Sequence, residues 1–447
     1  MKEVDDFLIN EIRPMTKQFL VETAGKEIQI ISHFDTDGIT SATIMIQALK
    51  RLDKKFSLKI VKSLTKEFIE KLAKEKIYLF LDLASGSVEH IKNSGLKKVF
   101  IIDHHELDMK EDFSPNIIML NPFLSIKQQI SASGLVYLFC KEINQKNKDL
   151  AKLAVLGMIG DNLEKQIDTL NNGILEDGEI IRKRGILIYP STRPLNRVLE
   201  YSSNPYIPEV TGNLKGVLEL LRESGLSPEK GKYKKIIDLT EEEMEKLTTA
   251  ILLRNHQIKN TDLIGDLFLI KMYGKLEDAR DLSALVNACS RSGNPEAAIK
   301  FLIEIPSAKK AADSIAIKYK QKLISGLKFA QETEKIIGKG FVIINAGENI
   351  PDTMAGTITS IISNSKIYET GTVITTLAHY ENRIKVSSRI SGREGRNLKE
   401  LLSKVIAETD GEVGGHHFAA GCIIPREKEK EFINSLKRNL EVEMVKV

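Results

Sequence analysis

Four short apolar runs, EIQIISH (27–33), LKIVKS (58–63), IYLFLD (77–82) and KVFIID (98–103), recur within the first 103 residues, separated by stretches with helical periodicity. Strands this continuously apolar must be covered on both faces, and helices between consecutive strands require crossover connections, so the pattern predicts a parallel sheet. The intervening helices are SATIMIQALKRL, KEFIEKLAK and SVEHIKNSG, and helical patterns at 133–145 and 148–158 complete a doubly wound α/β domain. Its expected limits are 1–165.

From 166 to 335 the texture changes. Strand-like runs become scarce, Pro and Gly punctuate YPSTRPLNR, SSNPYIPEVTG and ESGLSPEKGK, and the periodicity is mainly helical, which predicts a helical insert and connector. Strand signals return in GFVIINAG, GTVITTLAHY and RIKVSSRI, with helices at 353–363 and 396–407, so residues 336–447 are expected to form a small closing α/β domain. A length of 447 residues suits two or three such domains.

Composition narrows the class without naming it. With 42% hydrophobic and 28% charged residues the chain reads as globular, and a net charge of +4, from 65 basic against 61 acidic residues, is too small for a nucleic-acid-coating protein. Cys140, Cys289 and Cys422 lie far apart without a CxxC pair, which argues against a zinc ribbon or a disulfide framework. No apolar run approaches the ~18 residues a bilayer span needs. A cytoplasmic protein, neither exported nor membrane-spanning, is expected.

The acidic residues are distributed less evenly. In open parallel sheets ligands gather outside the carboxyl ends of the strands, and here those ends carry His33, Asp35 and Asp37 in HFDTDG, Asp82 after the third strand, and Asp103-His104-His105 after the fourth. Asp161 follows the helix at 148–158. Singly each has a plain reading: a surface turn, an incidental triplet, a helix N-cap. Together they place like charges at one sheet edge, where they repel unless a cation neutralises them.

The donor types select that cation. Carboxylates with imidazole and no thiolate suit Mn²⁺, with Mg²⁺ the alternative, better than structural zinc. Asp35, Asp37, Asp82 and Asp161 carry four negative charges, which two divalent ions balance. Two such ions about 3.5–4 Å apart suit in-line displacement at phosphorus. Asp82, on a central strand, is the natural bridge, and Asp103 is expected to orient an imidazole.

HFDTDG, DLASGS, DHH and GD resemble the four motifs of the DHH phosphoesterase superfamily, and GGHHFAAG (414–421) with KVSSR (385–389) resembles its associated C-terminal DHHA1-type domain. LSALVNACSRSGNPEAA and INAGENIPDTMAGTITSI are similar to segments of archaeal RecJ-like nucleases. The resemblance implies His33, Asp35 and Asp82 around one ion, with Asp37, Asp82, His104 and Asp161 around the other. It also implies that His105 faces substrate phosphate, with Arg389, Ser388, His416, Gly414 and Gly415 binding substrate from the closing domain. Asn287 and Arg291 either touch nucleic acid or cap and pack a helix. Charge balance then calls for Arg389 over the site, which places the active site in a cleft between domains, of a width that admits one strand. No further OB-fold is expected after the closing domain.

What the resemblance implies is a manganese-dependent exonuclease that converts single-stranded DNA, or RNA, to nucleoside 5′-monophosphates in repair or replication. Similarity to the branch associated with the Hef helicase implies digestion from the 3′ end. Expected partners are single-stranded nucleic acid, a repair helicase or replication complex, and further copies of the chain. The alternatives are an oligoribonuclease or cyclic-dinucleotide phosphodiesterase, and a Cdc45-like replisome scaffold that keeps the fold without the chemistry. Pyrophosphatase or polyphosphatase activity is more distant.

Overall fold

The computed structural model describes residues 2–107, 114–124, 129–165, 167–202, 205–255, 263–365, 367–392, 394–409 and 411–441. The chain divides into two compact units, residues 1–184 with 266–317, and residues 185–265 with 318–447.

The first unit is built on a parallel sheet of β1 (Ile28–His33), β2 (Phe56–Val61), β3 (Ile77–Leu81), β4 (Lys98–Ile102) and β5 (Ile117–Leu120), in the order β2-β1-β3-β4-β5. All five residues of the central strand β3 are buried, as its unbroken apolar run requires. Register aligns Ile28 with both Phe56 and Ile77, and Ile77 with Lys98, so β1, β3 and β4 end level with one another. The pairing continues just past the strands, where Asp82 N–H donates to Ile102 C=O and Asp103 N–H to Leu120 C=O. These residues are therefore held by the sheet itself.

Helices cover both faces. On one, α1 (Lys2–Glu22) inserts Phe19 edge-on between Phe100 of β4 and Phe139 of α5 (Ala132–Ile143), with ring centroids 5.1 and 5.4 Å away. Full burial of such a ring stabilises the fold by about 2–3 kcal/mol. On the other, α3 (Lys66–Glu70) and α4 (Val88–Asn93) pack Ile69, Val88 and Ile91 against Tyr78, Phe80 and Ile101. The helix α2 (Thr36–Arg51), which follows β1, is buried along nearly its whole length against α5 and α6 (Ala151–Gly160). The doubly wound domain is thus borne out. β5 was not foreseen, since its four residues are too few to carry a periodicity.

The stretch 166–335, expected as one helical insert, is shared between the units. The first takes α7 (Thr169–Asp177) and an antiparallel hairpin of strands ending in β8 (Lys275–Asp278), preceded by β7 (Ile264–Met272). These strands, with β6 (Ile181–Ile186), form a three-stranded sheet absent from the sequence reading. The second takes α8 (Leu195–Glu200), α9 (Leu214–Glu223) and α10 (Glu241–Arg254). After β8 come α11 (Ala279–Arg291), α12 (Pro295–Leu302) and α13 (Pro306–Glu332).

The chain closes on a six-stranded sheet of β9 (Ile336–Gly338), β10 (Phe341–Gly347), β11 (Val373–Tyr380), β12 (Arg383–Ile390), β13 (Glu412–His416) and β14 (Ala419–Pro425), ordered β13-β14-β12-β11-β10-β9. Only β10 and β11 pair parallel. Leu398, Leu402 and Val405 of α15 (Leu398–Thr409), with Phe432 and Leu436 of α16 (Glu429–Glu441), bury one face of the sheet, and α14 (Asp352–Asn364) packs on β11 and β12. Cys140, Cys289 and Cys422 are buried and free. No helix among the described residues is long and apolar enough to cross a membrane.

Candidate metal centre

The level strand ends bring the acidic residues together. His33 closes β1, and Asp35 is the N-cap of α2, its carboxylate accepting from Gly38 N–H at 3.1 Å. Gly38 is needed there because any Cβ would overlap the carbonyl of His33. His33 Nδ1 lies 3.0 Å from Asp35 Oδ2 and 3.3 Å from Asp82 Oδ2.

Asp37, one residue into α2, accepts from the N–H groups of Ala132 at 2.7 Å and Ser133 at 3.0 Å. These are the free amides at the start of α5, whose N-cap is Ser131. A helix N-terminus is a ready anion site, so this carboxylate is fixed before any ion arrives. His104 Nε2 then stands 3.3 Å from Asp161 Oδ2, 3.4 Å from Asp82 Oδ1 and 3.8 Å from Asp37 Oδ2.

Asp82 joins the two halves. One oxygen faces His33 and the other His104, and neither has a hydrogen-bond partner although the residue is 1% exposed. Its backbone is left-handed, φ 58°, a conformation costing about 1 kcal/mol or more outside glycine. Among the described residues, donor atoms cluster as His33–Asp35–Asp82, Asp37–His104–Asp161 and Asp82–His104–His105.

Among the described residues, no lysine or arginine forms an ion pair with these carboxylates. Burial, then the carboxylates of Asp35 and Asp37, push Asp82 well above the usual carboxylate range, and burial with Asp37 does the same to Asp161. Burial works against a charged His33, but Asp35 and Asp82 outweigh it and push its pKa up to about 10. Burial likewise opposes the charge of His104 and is outweighed by Asp37 and Asp161. Orphaned buried oxygens on Asp82 and Asp161 and an orphaned nitrogen on His33 are ligand atoms suited to a cation. An all-oxygen-and-imidazole set of this kind fits divalent metal.

Asp103 orients an imidazole, as expected, and the ring is that of His105. Fully buried, it accepts from the N–H and hydroxyl of Ser85 at 2.8 and 2.6 Å, from His104 N–H at 2.8 Å, and from His105 Nδ1 at 2.7 Å. Asn121 completes the network by donating to Ser85 Oγ and His105 C=O.

Arg291 lies beside the same turn. Its guanidinium sits 5.3 Å above the ring of Phe34, and its Nε donates to Asn287 Oδ1 at 3.0 Å. Asn287 therefore packs with Arg291 on α11, and the pair accompanies the metal-binding turn.

Family models match successive parts of the chain: the DHH family, N-terminal domain, over residues 27–158, the DHH-CID domain over 188–262, and the DHHA1 domain over 338–441. An uncharacterized protein of Methanocaldococcus jannaschii is 31% identical over 421 residues, 91% of each chain. This chain belongs to the DHH/DHHA1 superfamily. Among solved structures, exonuclease RecJ bound to manganese shares the DHH/DHHA1 fold at TM-score 0.59 and 15% identity, over 97% of this chain and 95% of RecJ. Cdc45 from Entamoeba histolytica shares it at TM-score 0.65 and 12% identity, over 98% of each chain.

Within the DHHA1 domain the expected substrate residues divide. Arg389 on β12 donates through Nε to Ser360 Oγ at 2.9 Å and through Nη1 to Ser388 C=O at 2.8 Å. The hydroxyl of Ser388 is fully buried against Thr375 Oγ1 at 2.8 Å. Strand alternation sends residues 388 and 389 to opposite faces, so the Ser388 side chain is not beside Arg389, and Ser387 shares that face instead. Gly414, Gly415 and His416 are exposed on β13, and Gly415, at φ 124°, has no room for a Cβ beside the Ala419 carbonyl.

The sequence reading missed Ser85, Asn121 and the amides of Ala132 and Ser133. Only the last carried a local signal, the N-cap serine Ser131.

Proposed function

We propose that this DHH/DHHA1 protein is a phosphodiesterase that degrades single-stranded nucleic acid from the 3′ end to nucleoside 5′-monophosphates. The observation that carries this reading is the bridging carboxylate of Asp82, with one unpartnered oxygen toward each half of the cluster. His33, Asp35 and Asp82 would hold one divalent ion, and Asp37, Asp82, His104 and Asp161 a second. When bound, such ions lower the pKa of a water, align it on phosphorus and neutralise the phosphoryl oxygens. Manganese suits the mixed carboxylate and imidazole donors, since magnesium seldom takes histidine.

The chain's own groups do the rest. Water adds to phosphorus while the bond to the 3′ oxygen breaks, so the developing charge falls on the phosphoryl oxygens and the departing oxygen. His105, held through Nδ1 by Asp103, presents Nε2 as the atom free to meet a phosphoryl group. Arg291, fixed by Asn287 and Phe34, and Arg389, fixed by Ser360, offer planar forks suited to phosphate.

A replisome scaffold is the second reading, favoured by the likeness to Cdc45. Loss of chemistry would free the ligand positions to drift, yet every one is an acidic or imidazole side chain. The deciding experiment incubates the protein in Mn²⁺ with single strands labelled at either end, a matching duplex, and a dinucleotide. Nucleotide release from single strands alone supports the exonuclease. Preference for the dinucleotide supports a small-nucleotide phosphodiesterase, and no hydrolysis of any substrate sinks the enzymatic reading.

A further inference from the structure

Resting on the dinuclear reading above, we infer that Ser290 and Ser283 of α11 are positioning residues, which clamp the turn at Phe34 and Thr36 and so aim Asp35 into the His33–Asp35–Asp82 half of the centre. The direction of Asp35 depends on that turn. One of its oxygens is committed to Gly38 N–H, and the other lies 3.0 Å from His33 Nδ1, so a small change of backbone at residues 34–36 would carry it away.

Two hydrogen bonds from a segment some 250 residues distant hold the turn on both sides of Asp35. The buried hydroxyl of Ser290 donates to Phe34 C=O. The hydroxyl of Thr36, 4% exposed, donates to Ser283 C=O at 3.1 Å. Arg291 covers the Phe34 ring from the same helix, and Gly160 of α6 leaves the space in which Thr36 and Ser283 meet. Buried backbone groups need partners, and the Ser290 hydroxyl supplies one to the Phe34 carbonyl.

In the other half of the centre, the Asp37 carboxylate has separate anchors. Asp37 is held by the amides of Ala132 and Ser133, and its described hydrogen bonds include none from α11. Loosening α11 should therefore disturb one ion and spare the other. A general loss of stability would not make that distinction.

The test is a Mn²⁺ titration of the full chain, with free Mn²⁺ read by electron paramagnetic resonance. Wild type should bind two ions. Ser290→Ala should keep one at wild-type affinity and bind the other about 10- to 100-fold more weakly, the usual effect of losing a group that orients a ligand. Ser290→Thr, which keeps the hydroxyl, should restore both. Thr36→Val removes the second clamp bond at nearly constant volume, should weaken the same single ion, and serves if Ser290→Ala does not fold. Equal weakening of both ions, or none in either alanine or valine variant, overturns the clamp while leaving the dinuclear reading intact. Wild type that takes up no Mn²⁺ overturns the dinuclear reading and the clamp with it.

Discussion

Asp103 Oδ1 lies 2.7 Å from His105 Nδ1, and this pair connects the buried interior of the DHH domain to a ring that is half exposed. Because Nδ1 is committed to the carboxylate, the tautomer and plane of His105 are set from inside the fold. His104, next in sequence, donates only its backbone N–H to the same carboxylate and turns its Nε2 to Asp82 and Asp161. Adjacent histidines thereby acquire different tasks.

Asp103→Asn tests that pair. Burial opposes the charge of Asp103, but His105 and Ser85 outweigh it and hold the carboxyl well below the usual range. A depressed folded pKa contributes stability that is present above about pH 4 and is lost as pH falls below it. The variant should be destabilised by about 2 kcal/mol at pH 7, with the gap to wild type narrowing toward pH 3 in urea titrations. Turnover in the proposed phosphodiesterase assay should fall while Mn²⁺ uptake persists.

Asp82 carries the opposite sign. Its folded pKa is raised, so the metal-free protein loses stability as pH climbs above about 4 toward that folded value. In chelator, Asp82→Asn should therefore gain on wild type as pH rises from 4 to 8, and thermal melts at several pH values measure this. Added Mn²⁺ should stabilise wild type by more than it stabilises the variant, and hydrolysis by the variant should fall more than about tenfold. A variant that melts in parallel with wild type at every pH would remove the argument from carboxylate crowding.

Gly157→Ala probes the seat of Asp37. A Cβ at 157 would overlap Ser133 Oγ and Asp37 Oδ1 and lie 2.6 Å from Thr40 Oγ1. Relief requires the carboxylate or α6 to shift. Overpacking should cost about 1–3 kcal/mol in denaturant titrations, and calorimetric Mn²⁺ titration should show weakened binding at the Asp37–His104–Asp161 half.

Arg389→Ala separates substrate from metal. Its guanidinium is held by Ser360 and by the Ser388 carbonyl, within the DHHA1 domain. KM for a single-stranded substrate should rise on the order of tenfold, as for loss of one charged hydrogen bond, with Mn²⁺ affinity unchanged. Parallel loss of both would remove Arg389 from substrate binding.

Much of the site was legible because a parallel sheet converts sequence order into spatial convergence: residues that follow each strand arrive at one edge whatever lies between them. HFDTDG, Asp82 and the DHH triplet sit immediately after apolar runs that were themselves unmistakable, and α2 and α5 likewise declared themselves through 3.6-residue periodicity. Two readings exceeded what a one-dimensional pattern holds. Asp103 was expected to orient an imidazole, and that the ring is His105 rather than His104 depends on the local geometry of the turn after β4. Ser388 was placed with Arg389 by motif, although their adjacency on a strand already forbade a shared face.

The chain by itself determined which residues end each strand, and hence the chemistry of the cluster, because those relations are local. Only the tertiary structure decided that Asp37 rests on the amides of α5, that β5 and the hairpin ending in β8 exist, and that Ser290 reaches Phe34. Contacts between segments some 100 to 250 residues apart are selected by packing of the whole domain, and no periodicity in the intervening sequence encodes them.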